Sequence, residues 1–284
     1  MQLNFHGQTV LISGGTSGIG LAAAAQFLAA GAQVMLMGRS AARGEAALAA
    51  LRGKDCRVCS AIAGNVAGPS GGPSAASARP AGDSGAAVKF VAGDVSHRED
   101  CAAAVEATLA AYGHLDILVN SAGIYQEGAL EDLTEAELDS ILATNVKGTF
   151  WLTQAALAAL KQSHGAIVNV ASDAGVHGNY FCTAYSASKG AVVMFTRSLA
   201  LELAAAGVRV NAIAPGDILT PLTEKQLHSG SVSREDMLRE MSSVYPLGRI
   251  GTPDEAAAVI LFLASSQASF VTGAVWSVDG GLTS

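Results

Sequence analysis

Two hydrophobic patterns alternate along the chain. Short, nearly continuous apolar runs fall at Thr9–Ser13 (TVLIS), Gln33–Met37 (QVMLM), Val88–Ala92, Leu115–Asn120, Ala166–Ala171, Val208–Ala214 and Ala274–Val278. Runs of that length that do not alternate with polar residues describe strands buried on both faces. Longer alanine-rich stretches lie between them, at Ile19–Ala30, Ala41–Leu51, Arg98–Tyr112, Glu135–Gln162, Thr183–Ala206 and Asp254–Ala264. Strand and helix taking turns in this way predict parallel βαβ units. Right-handed crossovers then give an α/β fold, a doubly wound parallel sheet of about seven strands with helices on both faces. No second core-sized block and no fixed repeat appears, so residues 1–284 read as one domain.

One stretch breaks the rhythm. Residues 60–87 (SAIAGNVAGPSGGPSAASARPAGDSGAA) are dense in Gly, Pro, Ser and Ala and keep no period. They read as a flexible insertion between a helix and the third strand. Two uses stay open for it, a solvated loop without a role in the chemistry and a lid or partner-binding segment.

Composition narrows the picture. Half the residues are hydrophobic and only 14% are charged, which excludes a disordered chain. No uninterrupted apolar run approaches the roughly 20 residues of a membrane helix, so the mean hydropathy of +0.35 reflects a soluble core. A net charge of −7 offers no basic surface for nucleic acid. The start of the sequence shows no secretory pattern. Four cysteines make no disulfide framework at this length, and a reducing cytoplasm is the expected location.

The chemistry begins after the first strand. Ser13–Gly20 reads SGGTSGIG and runs straight into a helix. Glycines at 14, 18 and 20 let the backbone turn tightly and approach a pyrophosphate, which Thr16, Ser17 and Ile19 at the helix N-terminus would meet with N–H groups. A carboxylate at the end of the second strand would select NAD through its ribose 2′-OH. The sequence has Gly38-Arg39-Ser40 there instead, and a guanidinium suits a 2′-phosphate, so NADP(H) is expected over NAD(H).

Further on, Ser172 ends the fifth strand, and Tyr185 and Lys189 stand at i and i+4 in YSASK. A cation one helical turn from a phenol is expected to pull its pKa down and make Tyr185 a general acid/base. Ser172 would hold the substrate oxygen. Asn145 would bond a water that feeds protons to Lys189.

These residues together resemble the short-chain dehydrogenase/reductase family, in its short single-domain branch. The resemblance rests on SGGTSGIG (13–20), Asp94-Val95, NSAG (120–123), Asn145, Ser172, Tyr185-x-x-x-Lys189, PGDILT (215–220) and PLGRIGTPDE (246–255), in that order. It implies a Rossmann-type fold and reversible NAD(P)-linked interconversion of an alcohol and a carbonyl. It also implies a tetrad of Asn145, Ser172, Tyr185 and Lys189. By position, Asp94 resembles the residue that bonds adenine, with Val95 packed on the ring. Asn120, Ala122 and Gly123 would line the ribose side and support the sheet. Lys189 would hold the nicotinamide ribose, and Pro215, Gly216, Ile218 and Thr220 would fix the nicotinamide. Residues 217–245 would form a substrate-binding lid. A homotetramer through the long helices is implied as well. Ser13 and Ser121 depart from the usual Thr and Asn, and the 60–87 insertion has no counterpart in the pattern.

Enoyl reduction is a rival, but the family's enoyl reductases space Tyr and Lys more widely. A regulatory protein that senses NADP without turnover is a rival of another class; it has no need of Tyr185 or Lys189. The chemistry calls for no metal. The Cys56-x-x-Cys59 pair lacks the partners that would complete a zinc site. Cys101 and Cys182 read as small core residues, and His177 as either a substrate contact or an ordinary loop residue. Tyr180 and Phe181, in the segment 174–182, read as an apolar wall or as core.

Overall fold

Successive residues of a strand point to opposite faces, and here both sets are apolar. A computed structural model describes residues 3–52, 86–227 and 233–284. It contains seven strands: β1 (Thr9–Ser13), β2 (Gln33–Gly38), β3 (Val88–Ala92), β4 (Ile117–Asn120), β5 (Ala166–Val170), β6 (Arg209–Pro215) and β7 (Val275–Val278). Every pairing is parallel, in the order β3-β2-β1-β4-β5-β6-β7. The helices are α1 (Gly18–Ala29), α2 (Ala41–Arg52), α3 (Arg98–Tyr112), α4 (Glu135–Ile141), α5 (Gly148–Ser163), α6 (Thr183–Leu203), α7 (Pro221–Leu227), α8 (Arg234–Ser243) and α9 (Pro253–Ala264). This is the doubly wound, Rossmann-type arrangement that the alternating pattern predicts. Nearly all of the 60–87 stretch, with Cys56 and Cys59, lies outside the described residues.

The core divides along the sheet. Val10, Ile12, Val34 and Leu36 face the alanines of α1 and the apolar side of α9. Leu11, Met35, Met37 and Leu118 face α3, α5 and α6 on the other side. The alanines of α1 are nearly all fully buried, which lets that helix lie close on the sheet and on α9. Among the described residues, no helix is long and apolar enough to cross a membrane.

The structure corrects one element in a way that bears on the site. The expected single helix over Glu135–Gln162 is interrupted by a π-helical turn, Leu142–Lys147, between α4 and α5. Asn145 sits in that turn and is buried there. A π turn inserts an extra residue, leaves the apolar spacing on either side nearly intact, and is often found at functional sites. Hydrophobic periodicity therefore does not reveal it.

A polar network crosses the core behind the strand ends. Asn120 donates to Thr153 Oγ1 on α5 (2.9 Å) and to Asn169 Oδ1 on β5 (2.9 Å). Asn169 in turn donates to Thr196 Oγ1 on α6 (2.8 Å). All four side chains are buried, so these hydrogen bonds are made away from water and losing one is costly. We expect Asn169→Leu to strand the Asn120 and Thr196 groups and to destabilise the fold by about 2–3 kcal/mol, read as a lower midpoint in urea unfolding.

Candidate active site and cofactor cleft

The sheet order reverses between β1 and β4, and the crevice at such a switch point opens at the C-terminal strand ends. The loops leaving β1, β2, β3 and β4 meet there in one cleft. The β1 loop is held down by Ser13, whose Oγ accepts from the backbone N–H groups of Ser121 (3.2 Å) and Ala122 (3.3 Å). Gly14 has φ +67°, and a Cβ there would lie 2.9 Å from the backbone of Ala122; only glycine fits both conditions. Ser17 precedes α1 without capping it through its side chain. The first-turn N–H groups, which a helix cannot satisfy internally, are thus not taken up by Ser17, and this fits a pyrophosphate.

Gly14, Thr16, Ser17, Gly38, Arg39, Ser40, Asp94, Val95, Ala122 and Gly123, all named above as cofactor contacts, line the cleft. Met37, Arg43, Gly93, Ile124 and Thr144 line it too, and sequence reasoning missed them. Arg43 had a legible signal, since it lies one helical turn beyond Arg39 in GRSAAR. The hydroxyl of Ser40 accepts from Arg43 N (3.3 Å) and so caps the start of α2. Gly38 leaves no carboxylate at the end of β2, and a Cβ there would stand 3.1 Å from the Thr16 side chain.

Arg39 and Asp94 pair across the cleft at 3.9 Å, with the guanidinium mostly exposed. Burial alone would raise the Asp94 carboxyl. Hydrogen bonds from the backbone and hydroxyl of Ser96, with the charges of Arg39 and His97, outweigh burial and hold it below its usual range.

Several predicted residues lie outside that cleft. Asn120 supports the sheet through the network above. Ile218 is buried against Gly251 and the core. Thr220 stands beside the glycine loop, with its methyl 3.2 Å from where a Gly18 Cβ would be. Ile19 packs on the core, and Gly20 lies against the backbone of Gly14. Pro215 and Gly216 lead from β6 into residues 217–245, where α7 and α8 are joined by an Arg234–Glu224 ion pair. Tyr245 packs on Gly216, and its hydroxyl accepts from Asp217 N (2.7 Å).

Further along the same sheet edge, Ser172, Tyr185, Lys189 and Asn145 come together. Ser172 follows β5 and opens a 3₁₀ turn, Asp173–Gly175, in which its Oγ accepts from Ala174 N (3.2 Å). That turn lies directly on α6. A Cβ on Gly175 would be 2.7 Å from the Lys189 backbone, so the close approach that brings Ser172 to α6 requires glycine. Tyr185 lies close enough to Ser172 for the serine hydroxyl to lower its phenol against burial. Lys189 Nζ donates to Val170 O (2.9 Å) and stands 5.8 Å from the centre of the Tyr185 ring. Asn145 is fixed three ways: its Nδ2 donates to Ile124 O (3.0 Å) and Ser188 Oγ (3.0 Å), and its Oδ1 accepts from Ile124 N (2.8 Å). The space beside Gly123 is flanked by Asn145 Oδ1 and Lys189 Nζ, each 3.4 Å from where a Cβ would sit.

The electrostatics correct the expected direction at Tyr185. Burial pushes its phenol up to about 12; the Ser172 hydroxyl opposes this, and the negative charges of Asp173 and Asp217 add to it. Lys189 does not pull the phenol down, because burial acts on the lysine as well and lowers it to about 8. Tyr125, also missed, packs edge-on against Tyr185 with ring centres 4.9 Å apart. Its hydroxyl donates to Glu127 Oε2 (2.8 Å) and lies 3.2 Å from Cys182 Sγ. His177, Tyr180 and Phe181 are exposed, so the aromatic pair is not core. Phe181 holds φ +55°, an unusual backbone for a bulky residue.

Comparison with known proteins agrees with this geometry. Residues 8–71 match a family model described as short chain dehydrogenase, and residues 70–283 match one described as enoyl-(acyl carrier protein) reductase. Over 284 residues the chain is 37% identical to 2-(S)-hydroxypropyl-CoM dehydrogenase 3 of Xanthobacter autotrophicus, covering all of this chain and 99% of that protein. It is 34% identical over 284 residues to the 3-oxoacyl-[acyl-carrier-protein] reductase FabG of Chlamydia pneumoniae, covering both in full. A crystal structure of 3-ketoacyl-(acyl-carrier-protein) reductase from Brucella melitensis, complexed with NADH, superposes with TM-score 0.78 at 31% identity, covering 99% of this chain and all of that one. The chain belongs to the short-chain dehydrogenase/reductase family. It is an NAD(P)-dependent oxidoreductase acting on CH–OH and C=O groups.

We expect Gly175→Ala to displace the turn that carries Ser172 and to cut turnover by about tenfold or more. Cofactor affinity, measured by fluorescence titration, should change little, because the cleft between β1 and β4 is untouched.

Proposed function

We propose that this protein is an NADP(H)-dependent ketoreductase or alcohol dehydrogenase that interconverts a carbonyl and a secondary alcohol. The observation that carries the reading is the juxtaposition of Tyr185, Ser172 and Lys189 at the C-terminal edge of the sheet, beside the cofactor cleft. When bound, the nicotinamide gives or takes the hydride. Tyr185 gives its proton to the carbonyl oxygen in reduction and takes it back in oxidation. Ser172 steadies that oxygen. Lys189, held by Val170, is the cation that would bind the ribose side. Asn145 keeps the π turn and the loop after β4 in register with α6.

A phenol raised to about 12 stays protonated through neutral pH. The resting site is therefore set for donation, and reduction needs no prior ionisation. Oxidation needs the tyrosinate and should quicken as pH rises.

Preference for NADP(H) is supported by two guanidiniums, Arg39 and Arg43, around a β2 end that carries no carboxylate. A paired fork of that kind suits a phosphate. Homotetramer assembly is supported by exposed apolar side chains on α5 and α6, among them Phe150, Met194 and Leu201; light scattering at the tetramer mass checks it, and a monomer mass would refute it. The free cysteines Cys101 and Cys182 accord with a cytoplasmic protein.

The experiment is a panel of ketones and secondary alcohols followed at the NADPH absorbance band, repeated with NADH. Turnover with a higher kcat/KM for NADPH is expected, and a preference for NADH would refute the cofactor assignment. Tyr185→Phe should abolish turnover and leave NADPH binding intact. Cofactor binding with no turnover on any substrate would replace the enzyme reading with a sensor.

A further inference from the structure

The segment that follows β4 carries charge of one sign. Between Glu127 and Glu137 it reads EGALEDLTEAE, with carboxylates at 127, 131, 132, 135 and 137 and no lysine or arginine. Gly128 N donates to Phe181 O (2.8 Å), which ties this segment to the one that leads into α6. Between them lies a second cavity of about 120 Å³, room for several water-sized groups. Glu127, Asp132 and Glu137 bring charge to its lining, and Leu130, Leu133 and Phe181 bring apolar surface. Among the described residues, no lysine, arginine or histidine lines it. Two of the carboxylates are fixed by neutral donors: Glu127 accepts from the Tyr125 hydroxyl (2.8 Å), and Glu137 accepts from Thr134 N (2.9 Å) and Oγ1 (2.7 Å). Donors of that kind orient a carboxylate and leave its charge uncompensated.

The cavity stands one ring away from the reaction. Tyr125 packs edge-on against Tyr185, with ring centres 4.9 Å apart, and its hydroxyl reaches Glu127. Thr183 and Ala184, which also line the cavity, directly precede Tyr185 on α6. A molecule whose carbonyl meets Tyr185 therefore has only to pass Tyr125 to place its other end there.

The lining selects that end. An anionic group would meet like charges at Glu127 and Asp132, and a neutral one would leave them uncompensated. An alkylammonium meets every feature. Its charge pairs with the carboxylates, its alkyl groups pack on Leu130 and Leu133, and Phe181, whose side chain is 61% exposed, offers an aromatic face to a cation. The surroundings of Tyr185 have the same sign, since Asp173 and Asp217 act on it as negative charges. Building on the reading above, we propose that this cavity is a substrate subsite for a cationic group, and that the preferred substrate is a ketone or secondary alcohol whose far end carries an alkylammonium.

The test compares methyl ketones on alkyl chains of graded length that end in trimethylammonium, tert-butyl or sulfonate. The first two match in shape and differ in charge. With NADPH at low salt, kcat/KM for the ammonium ketone should exceed that for the tert-butyl ketone by about tenfold or more, the effect of a partly exposed ion pair joined to a cation–π contact. The sulfonate ketone should be the slowest, and the ammonium advantage should shrink as salt is added. Glu127→Gln should cut the ratio of ammonium to tert-butyl turnover by about threefold. Asp132→Lys, an exchange at an exposed position, should reverse the order of ammonium and sulfonate. If the parent handles all the ketones within about twofold of one another, or its ammonium advantage survives both exchanges, the proposal is overturned and the ketoreductase reading stands. If the parent turns over none of them, the ketoreductase reading fails instead. Calorimetric titration of the protein with the ammonium and tert-butyl ketones, NADPH present, then decides on the cavity. Tighter binding of the ammonium ketone that Asp132→Lys removes supports the subsite, and equal or absent binding overturns it.

Discussion

Two parallel strands cannot be joined by a tight turn, so each must be followed by a crossover that carries the chain back over the sheet. The seven strands of the described residues are all parallel, and each of them therefore ends at the same edge. The loops after β1, β2, β3 and β4 have no choice but to gather on one side of the switch point, and the loops after β5 and β6 follow beside them. The groups of the site come from segments separated by well over a hundred residues, and the sheet alone brings them to one line. The polar network of Asn120, Asn169 and Thr196 then ties that edge to α5 and α6, which fixes how far the helices stand from the strand ends.

Within that frame, burial sets the chemistry. Tyr185 and Lys189 sit one helical turn apart, and isolated helices would place them in water, where a lysine favours tyrosinate. Here Lys189 is buried with its Nζ on a backbone carbonyl, and Tyr185 shares its surroundings with two carboxylates. Desolvation disfavours the charged form of each group, so the phenol rises and the amine falls. The two move apart, the phenol to about 12 and the amine to about 8, so the buried pair keeps its proton on the phenol. Acidity here belongs to the site and not to either residue.

This also explains what was legible in the sequence. Strands such as Val10–Ile12 and Met35–Met37 were readable because a sheet covered on both sides needs unbroken apolar runs. The glycine loop and the i, i+4 pair were readable because their geometry is local. Asn145 could be named from its motif, but its π turn could not be foreseen, since helical spacing survives on both sides of it. Arg43 could have been read from its place one turn beyond Arg39. The direction of the Tyr185 shift was misread because sequence spacing gives proximity to Lys189 and says nothing about the desolvation of both.

The two ends of the crevice are built on different physics, and this separates their functions. At the end of β2, Arg39 is largely exposed and its ion pair with Asp94 is long, so its charge is screened by solvent and contributes through reach and orientation. Such a site can be altered one charge at a time without disturbing the core. At the end of β5, Ser172, Asp173 and Lys189 are all buried, and the turn that carries the first two touches the backbone bearing the third. No group there can change charge without changing its neighbours. Relatives named as a 2-(S)-hydroxypropyl-CoM dehydrogenase and as a 3-oxoacyl-[acyl-carrier-protein] reductase accord with such a division, in which the exposed end can differ without disturbing the buried one.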